Sequence, residues 1–453
     1  MTPMCTGTGT DAGATPPLPL DSATGPSVAV LRPALPGRDR FLGGELGADG
    51  CIYGIPGSAG YVVKVDPHSG EVRAPYGALL HGEGVRMPSF GKLSSSKRNQ
   101  FKWLRGVLGC DDRIYGVPSN GNAVLRVDPA TEEVALIGGP LPELPWKWHG
   151  GVLAPDGCIY GIPCNAQRVL RIDTRTSAVE MVGPVLEGRQ KWYGGLMGCD
   201  GCIYGIPFCA DAVLRIVVAT GAVELIGRGV PGLTQGGFKW HGGTVGSDGV
   251  IYGMPSHANT VLRIDPRGDV PVVDVLATEV GEPGLDHHGR NRCGSDERIE
   301  QGKYKYGGAV VGRDGCVYGL PSDADRVLRI SCDGSGRVDL VGPILRGKNK
   351  WQNGMLGRDG AVYAIPCDAD GILQIKTGGL GESLDDVPPE VSVIGGPFSA
   401  DLAGASDGRE KWEGGVVGPD GALYCMPQEA TCVLKINPGP VGSAWARGSA
   451  ARR

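Results

Sequence analysis

The sequence predicts an all-β chain of eight four-stranded units closed into a ring. Three observations carry that expectation. One motif recurs eight times, each copy holds four short strand-like runs, and the N-terminal segment matches a strand that the last copy lacks.

The repeat is cleanest in its fourth copy, KWYGGLMGCDGCIYGIPFCADAVLRIVVATGAVELIG, Lys191 to Gly227. Its turn aspartate is Asp200, and Asp49, Asp111, Asp156, Asp248, Asp314, Asp359 and Asp420 are the equivalents. Neighbouring turns lie 44 to 66 residues apart, so a core unit of 44 to 48 residues is lengthened at three junctions.

Within the fourth copy the runs are Tyr193–Met197, Cys202–Ile206, Ala212–Ile216 and Ala222–Ile226. Asp200-Gly201 separates the first two, a dipeptide suited to a tight hairpin with positive φ. Pro207 closes the second run, where a missing N–H interrupts no ladder. No stretch keeps a 3.6-residue apolar period. Four such strands per unit are the signature of a propeller blade, which predicts an eight-bladed β-propeller.

Closure is the third observation. The eighth copy, EKWEGGVVGPDGALYCMPQEATCVLKINPG, stops after three strands. Val28–Phe41 (VAVLRPALPGRDRF) aligns without a gap to Val179–Trp192 and Val338–Trp351, both of which span a fourth strand and the junction after it. The propeller is therefore expected over 28–439, latched by its N-terminal strand, with disordered tails at 1–27 and 440–453.

Composition narrows the function classes. The chain has 453 residues with 44 Lys+Arg against 49 Asp+Glu, a balance without a nucleic-acid-binding footprint. No apolar run reaches the length of a membrane span, and the first 27 residues lack a secretory pattern. Four of the 14 cysteines (Cys51, Cys158, Cys202, Cys316) repeat at one position, which places them too far apart to pair. Reduced thiols, the absence of an Asn-x-Ser/Thr sequon and the missing leader together predict an intracellular, cytoplasmic location; a monomer is expected.

The pattern GxDGxIYGIP…VLRIDPxTxxV resembles the repeats of NHL-type and virginiamycin B lyase-like propellers. The glycine pair and its aromatics also resemble kelch repeats, although kelch places its glycine doublet at the end of the second strand and here Gly194-Gly195 falls in the first. The resemblance covers 28–437 and implies the fold without naming one family.

Functional residues are expected on the face that carries the junctions between blades. Three long insertions (75–100, 281–302, 397–410) emerge there, and a fourth (377–389) on the opposite face. A basic residue and an aromatic precede each glycine pair. Lys147, Lys191 and Lys239 belong to the basic set, which is expected to cover the tryptophans or to pair with loop carboxylates, or else to meet a ligand. In the sixth copy Tyr304 and Lys305 take these two places in reversed order.

The residue after the aromatic varies: Leu42, Leu104, His149, Tyr193, His241, Tyr306, Gln352 and Glu413. So does the second residue after the proline of the second strand: Ser58, Asn120, Asn165, Cys209, His257, Asp323, Asp368 and Glu429. Arg105 and Asn353 replace the first glycine of the pair, putting side chains where six blades leave space. Arg105, Gln352, Asn353, His257, Asp323, Asp368 and Glu429 are accordingly the ligand candidates.

Several catalytic look-alikes are set aside. Gly404–Gly408 matches a nucleophile elbow without its strand-to-helix turn. Gly342…Lys348-Asn349 lacks a phosphate loop's hydroxyl and helix. Cys199-x-x-Cys202 is a lone pair, and no metal site is expected there. Asp286-His287-His288…Cys293…Asp296-Glu297 is the densest ligand-like run.

These features favour a non-catalytic scaffold that binds a protein or a small ligand. The alternative is an enzyme of lyase or lactone-hydrolase type, with His149, His241, Tyr193, Tyr306 and Glu413 around the channel. No cofactor is expected, beyond a divalent metal that His149 and His241 could share. A lectin with repeated sites at blade junctions is the third reading.

Overall fold

The computed structural model describes residues 25–37, 40–76, 101–234, 236–277, 303–379, 387–398 and 408–440. These form eight antiparallel sheets of four strands, each sheet a blade. The innermost strands of blades one to eight are Phe41–Leu46, Trp103–Leu108, Trp148–Leu153, Trp192–Met197, Trp240–Val245, Tyr306–Val311, Trp351–Leu356 and Trp412–Val417. The insertions expected at 75–100, 281–302, 377–389 and 397–410 lie mostly outside the described residues, as do most of both tails, the Asp286–Glu297 run and most of the Gly404–Gly408 string.

The ring closes as the repeat alignment requires. Ser27–Leu31 pairs antiparallel with Val433–Asn437, with Val28 opposite Ile436 and Val30 opposite Leu434. Val28 and Val30 pack on the core between blades seven and eight, while Leu31 and Leu35 pack on the core between blades eight and one. The first strand thus contributes to the two junctions that flank the chain ends.

Each junction has its own apolar cluster. Between blades three and four it joins Tyr160, Ile162 and Val169 to Trp192, Ile203, Leu214 and Ile216. The six tryptophans that open inner strands are at most 3% exposed. Each donates its indole N–H at 2.7–2.9 Å to the carbonyl twenty residues on, as Trp192 does to Ala212. A buried indole needs such an acceptor, so ring burial and a fixed strand spacing come together.

The hairpin aspartate has a second task beyond its turn. In all eight blades its carboxylate accepts the hydroxyl of the tyrosine four residues on, at 2.6–2.9 Å. The other oxygen accepts the main-chain N–H two residues on, as from Cys202 to Asp200. The Asp-Gly turn is therefore locked to the second strand, on the face away from the junction loops.

The basic set is buried, and its partners are main-chain carbonyls. Lys191, 3% exposed, donates to Cys164 O, Ala166 O and Gly188 O. Lys350 repeats the arrangement with Ser322 O, Ala324 O and Gly347 O. Arg40 does so in blade one, reaching Gln428 O, Glu429 O and Ala430 O across the closure. Each ammonium also sits about 6 Å from its own tryptophan ring where that pair is seen, 5.9 Å for Lys191. Burial lowers these lysines, Lys102 and Lys191 to about 8 and Lys147 to about 7. They staple one blade to the next.

Candidate functional site

The inner strand does not run straight to the axis. In blade four Trp192 faces Pro207 and Gly195 faces Gly205, so Tyr193 and Gly194 together oppose Ile206 alone. That bulge turns Tyr193 out of the ladder toward the channel and puts Gly194 at φ 80°, which a side chain disfavours. Gly150 and Gly242 share the conformation, and Asn353 adopts it at φ 55°. Asparagine is the side-chain-bearing residue that tolerates this region best.

Blade six corrects the sequence alignment. Tyr306 faces Pro321, the place held by tryptophan elsewhere, and Lys305 is the buried staple at 2% exposure. Tyr306 is therefore an interblade residue, packed with Tyr252, Met254 and Leu328, and Gly307 takes the position facing the channel. Its hydroxyl is buried without a hydrogen-bond partner. The reversed order of Tyr304 and Lys305 shifted the expected register by one.

The channel-facing set is consequently Leu42, Leu104, His149, Tyr193, His241, Gly307, Gln352 and Glu413. Blades three to five make it aromatic. The rings of His149 and Tyr193 stack at 3.3 Å between centroids, and His241 lies 4.1 Å from the other side of Tyr193. Tyr193 thus stands between the two imidazoles. Phe208 adds a ring 4.9 Å from Tyr193, and Phe238 continues the row at 4.8 Å from Phe208.

The opposite half is polar. Arg105 of blade two reaches past blade one, its stem lying over Gly43, and donates to Asn353 Oδ1 of blade seven at 2.6 Å. Asn353 Nδ2 donates in turn to the main-chain oxygen of Glu413 at 3.0 Å. Gln352 bridges to Ser322 Oγ and Asn349 Oδ1. Two side chains singled out for replacing glycine, far apart in sequence, are thereby joined at the axis.

Electrostatics divide the mouth in the same way. Burial, with the charges of His241 and Arg105, holds His149 well below the ordinary imidazole range. Burial and Arg105 bring His241 down to about 4. Both rings are neutral at physiological pH, each with one ring nitrogen able to accept a proton. The Tyr193 phenol is pushed well up by burial and then by Glu413, so it stays protonated.

The second variable ring performs structural work at several positions. The side-chain oxygens of Asn120, Asn165, Asp323 and Asp368 each accept, at 2.7 Å, the N–H of a residue in the next blade. Those acceptors hold Trp146, Gln190, Asn349 and Glu410 in left-handed backbone conformations at φ 49–53°. His257 instead lies in the aromatic row, 5.2 Å from Phe238 and 4.7 Å from Tyr304, and burial lowers it to about 4. Glu429 gives its main-chain oxygen to Arg40. Lys147, Lys191 and Lys239 lie below this rim in the carbonyl cages, not at its surface.

Two contributors were missed in the sequence. The residue directly after the second-strand proline supplies Phe208 and Ser322 to the mouth, a column whose variation matches that of the ring beside it. Glu45 occupies a place that seven blades fill with Val107, Val152, Leu196, Thr244, Val310, Met355 or Val416. It packs against Gly106 in the junction of blades one and two, and burial pushes its carboxyl up to about 7 despite the Leu46 N–H and Arg105. An acid in an apolar column was the available signal.

Among the described residues no group of three or more His, Cys, Asp or Glu is placed to hold a metal ion. No described cysteine forms a disulfide, and no described helix is long and apolar enough to cross a membrane.

No family model and no curated protein sequence matches the chain. Solved structures do. A streptogramin B lyase aligns over 92% of this chain and 98% of its own, at 12% identity and a TM-score of 0.52. A catalytically inactive virginiamycin B lyase from Staphylococcus aureus with quinupristin aligns over 73% of this chain and 93% of its own, at 14% identity and a TM-score of 0.50. A selenomethionine-substituted form of the Staphylococcus aureus enzyme matches equally, at 15% identity and a TM-score of 0.50. At such identities the likeness shows the fold: the chain is an eight-bladed β-propeller with virginiamycin B lyase-like structural neighbours.

Proposed function

We propose that the chain is a binding propeller that takes one small ligand at the axial mouth of its junction face. The observation that carries this reading is asymmetry. Staples, tryptophans and Asp–Tyr pairs repeat blade after blade, whereas Arg105, His149, Tyr193, His241, Asn353 and Glu413 differ and converge on one place. A few oriented polar groups set beside an aromatic wall are the kind of lining small-ligand sites have. The tryptophans that a lectin would present at its blade junctions are buried instead, which weighs against eight repeated sugar sites.

A second reading is catalytic, favoured by the two neutral imidazoles beside a protonated phenol. His149 or His241 would accept a proton from a bound substrate, and Tyr193 would donate one. Fold likeness to lyases adds nothing to this at the chemical level.

Ligand-observed NMR with a fragment library tests the binding reading. Hits are expected to bind the native chain and to be lost in a His149→Ala, His241→Ala double variant that keeps its melting temperature. Hits that bind both proteins alike, or an absence of hits, would contradict it.

A further inference from the structure

We propose that the ligand of this mouth is a monoanionic carboxylate carried on a flat ring, its oxygens taken by Arg105 and its ring set against the wall of His149, Tyr193, His241 and Phe208. The inference rests on the binding reading above and names the chemical class that the site selects.

Arg105 is the first ground. Its guanidinium has five N–H donors, and the one hydrogen bond it makes among the described residues goes to a neutral acceptor, Asn353 Oδ1. No carboxylate among the described residues forms a salt bridge with it. Outer-strand arginines are treated differently: Arg126, Arg171, Arg215 and Arg263 each meet a carboxylate, in Glu133, Glu180, Glu224 and Asp274. A solvent-reached guanidinium fork at the axis, with donors to spare, matches the two oxygens of a carboxylate.

Its placement is built by the backbone. A Cβ on Gly43 would come within 3.0 Å of Arg105 Cγ, so the glycine of blade one makes room for the side chain to cross. Asn353 then holds the far end, itself tied to Glu413 O. An incoming carboxylate replaces one neutral acceptor by two charged ones and leaves the Asn353–Glu413 bond in place.

The surrounding charges set the number of negative charges. His149 and His241 are neutral, so Arg105 is the cation nearest the ligand's head. Glu413 lies across the mouth and already acts on Tyr193, which disfavours a second anionic group. Glu45, the carboxyl nearest Arg105 on blade one, is kept largely protonated below about 7 by burial and so does not neutralise it. The other titratable or charged side chains on the strands packed against that of Glu45 are Tyr53, Glu413, Tyr424 and Cys425. The flat ring follows from the wall, since stacked aromatic faces and edges favour planar partners.

Benzoate and its neutral counterpart benzamide test the class by titration calorimetry on the full chain near pH 6. Benzoate is expected to bind one per chain, about tenfold or more tighter than benzamide. Arg105→Gln should abolish that preference while lowering the melting temperature by no more than about 3 °C, because the residue is exposed and its bond to Asn353 is worth little. Arg105→Lys should keep a preference for the anion but weaken it, since a point charge lacks the fork. Equal affinity for the two probes, no benzoate binding, or a preference that survives Arg105→Gln would overturn the inference. If neutral fragments still bind and are lost in the double histidine variant, the mouth remains a binding site and only the anion class falls.

Discussion

Arg105 Nη2 donates to Asn353 Oδ1 at 2.6 Å, joining blade two to blade seven across residues 248 apart in sequence. Both residues occupy the column that is glycine in the other blades, and the bond crosses the channel mouth. An exposed bond of this kind has limited energetic value. A double-mutant cycle with Arg105→Ala and Asn353→Ala should give a coupling of about 0.5–1.5 kcal/mol in chemical unfolding.

Asn353 also carries a conformational cost, at φ 55°. Asn353→Gly should leave stability within about 1 kcal/mol of the native value, because relief of the backbone offsets the two lost, weakly contributing bonds. Asn353→Val should cost about 2 kcal/mol or more, since a branched Cβ is excluded from this region. Thermal unfolding of the two variants separates them; equal losses would contradict the bulge geometry.

The register of blade six yields a third test. Tyr306 is buried between blades with an unsatisfied hydroxyl, so Tyr306→Phe should be neutral or stabilising by about 1 kcal/mol. Tyr306→Trp should also fold well, because an indole there can reach the carbonyl of Arg326 as its six counterparts reach theirs. Loss of more than about 1 kcal/mol in Tyr306→Phe, measured by denaturant unfolding, would show that the hydroxyl has a partner.

This blade also shows where the sequence was legible and where it was not. Turn aspartates, closing prolines and the Val28–Phe41 match are local or colinear signals, and each reappears in the structure as a hairpin, a strand end or the latch. The order Tyr304-Lys305-Tyr306 offers two alignments with the basic-aromatic pair, and main-chain pairing of Tyr306 with Pro321 decides between them. The carbonyl cages of the lysines were hidden for another reason: their acceptors are main-chain atoms, which leave no mark in residue identity. Arg105 and Asn353 stood out as departures from glycine, but their contact depends on ring closure bringing distant blades together.

The lysine cages predict an unequal response to substitution. Lys191→Met would leave Cys164 O, Ala166 O and Gly188 O without their shared donor and should cost about 2–4 kcal/mol. Lys191→Arg should cost less, because Arg40 already serves the equivalent carbonyls in blade one. Urea unfolding monitored by tryptophan fluorescence reads both; equal losses would count against a carbonyl cage.

Glu45 sets a pH dependence. Its carboxyl is raised from 4.5 to about 7 in the folded chain, so the unfolded chain releases this proton first as pH rises. Stability should therefore fall between about pH 4.5 and 7 and level off above, by about 3 kcal/mol from this group. Glu45→Gln should remove that fall and be the more stable protein at pH 8. A native chain and a variant with parallel profiles over this range would rule the contribution out.

The latch can be examined by truncation. Removing residues 1–26 should be nearly neutral, whereas removing 1–40 also deletes Val28, Val30, Leu31 and Leu35 from two junction cores and should lower the melting temperature steeply. Identical melting curves for the two truncations would mean the first strand does not close the ring.

On the proposed reading, an eightfold scaffold carries one functional place, at its axis. Native mass spectrometry of the full chain with its best-binding fragment measures this directly as a number of ligands bound at saturation. One ligand per chain, lost in the His149→Ala, His241→Ala variant, is the predicted result. A ladder of up to eight ligands, or a single ligand indifferent to those two histidines, would contradict it.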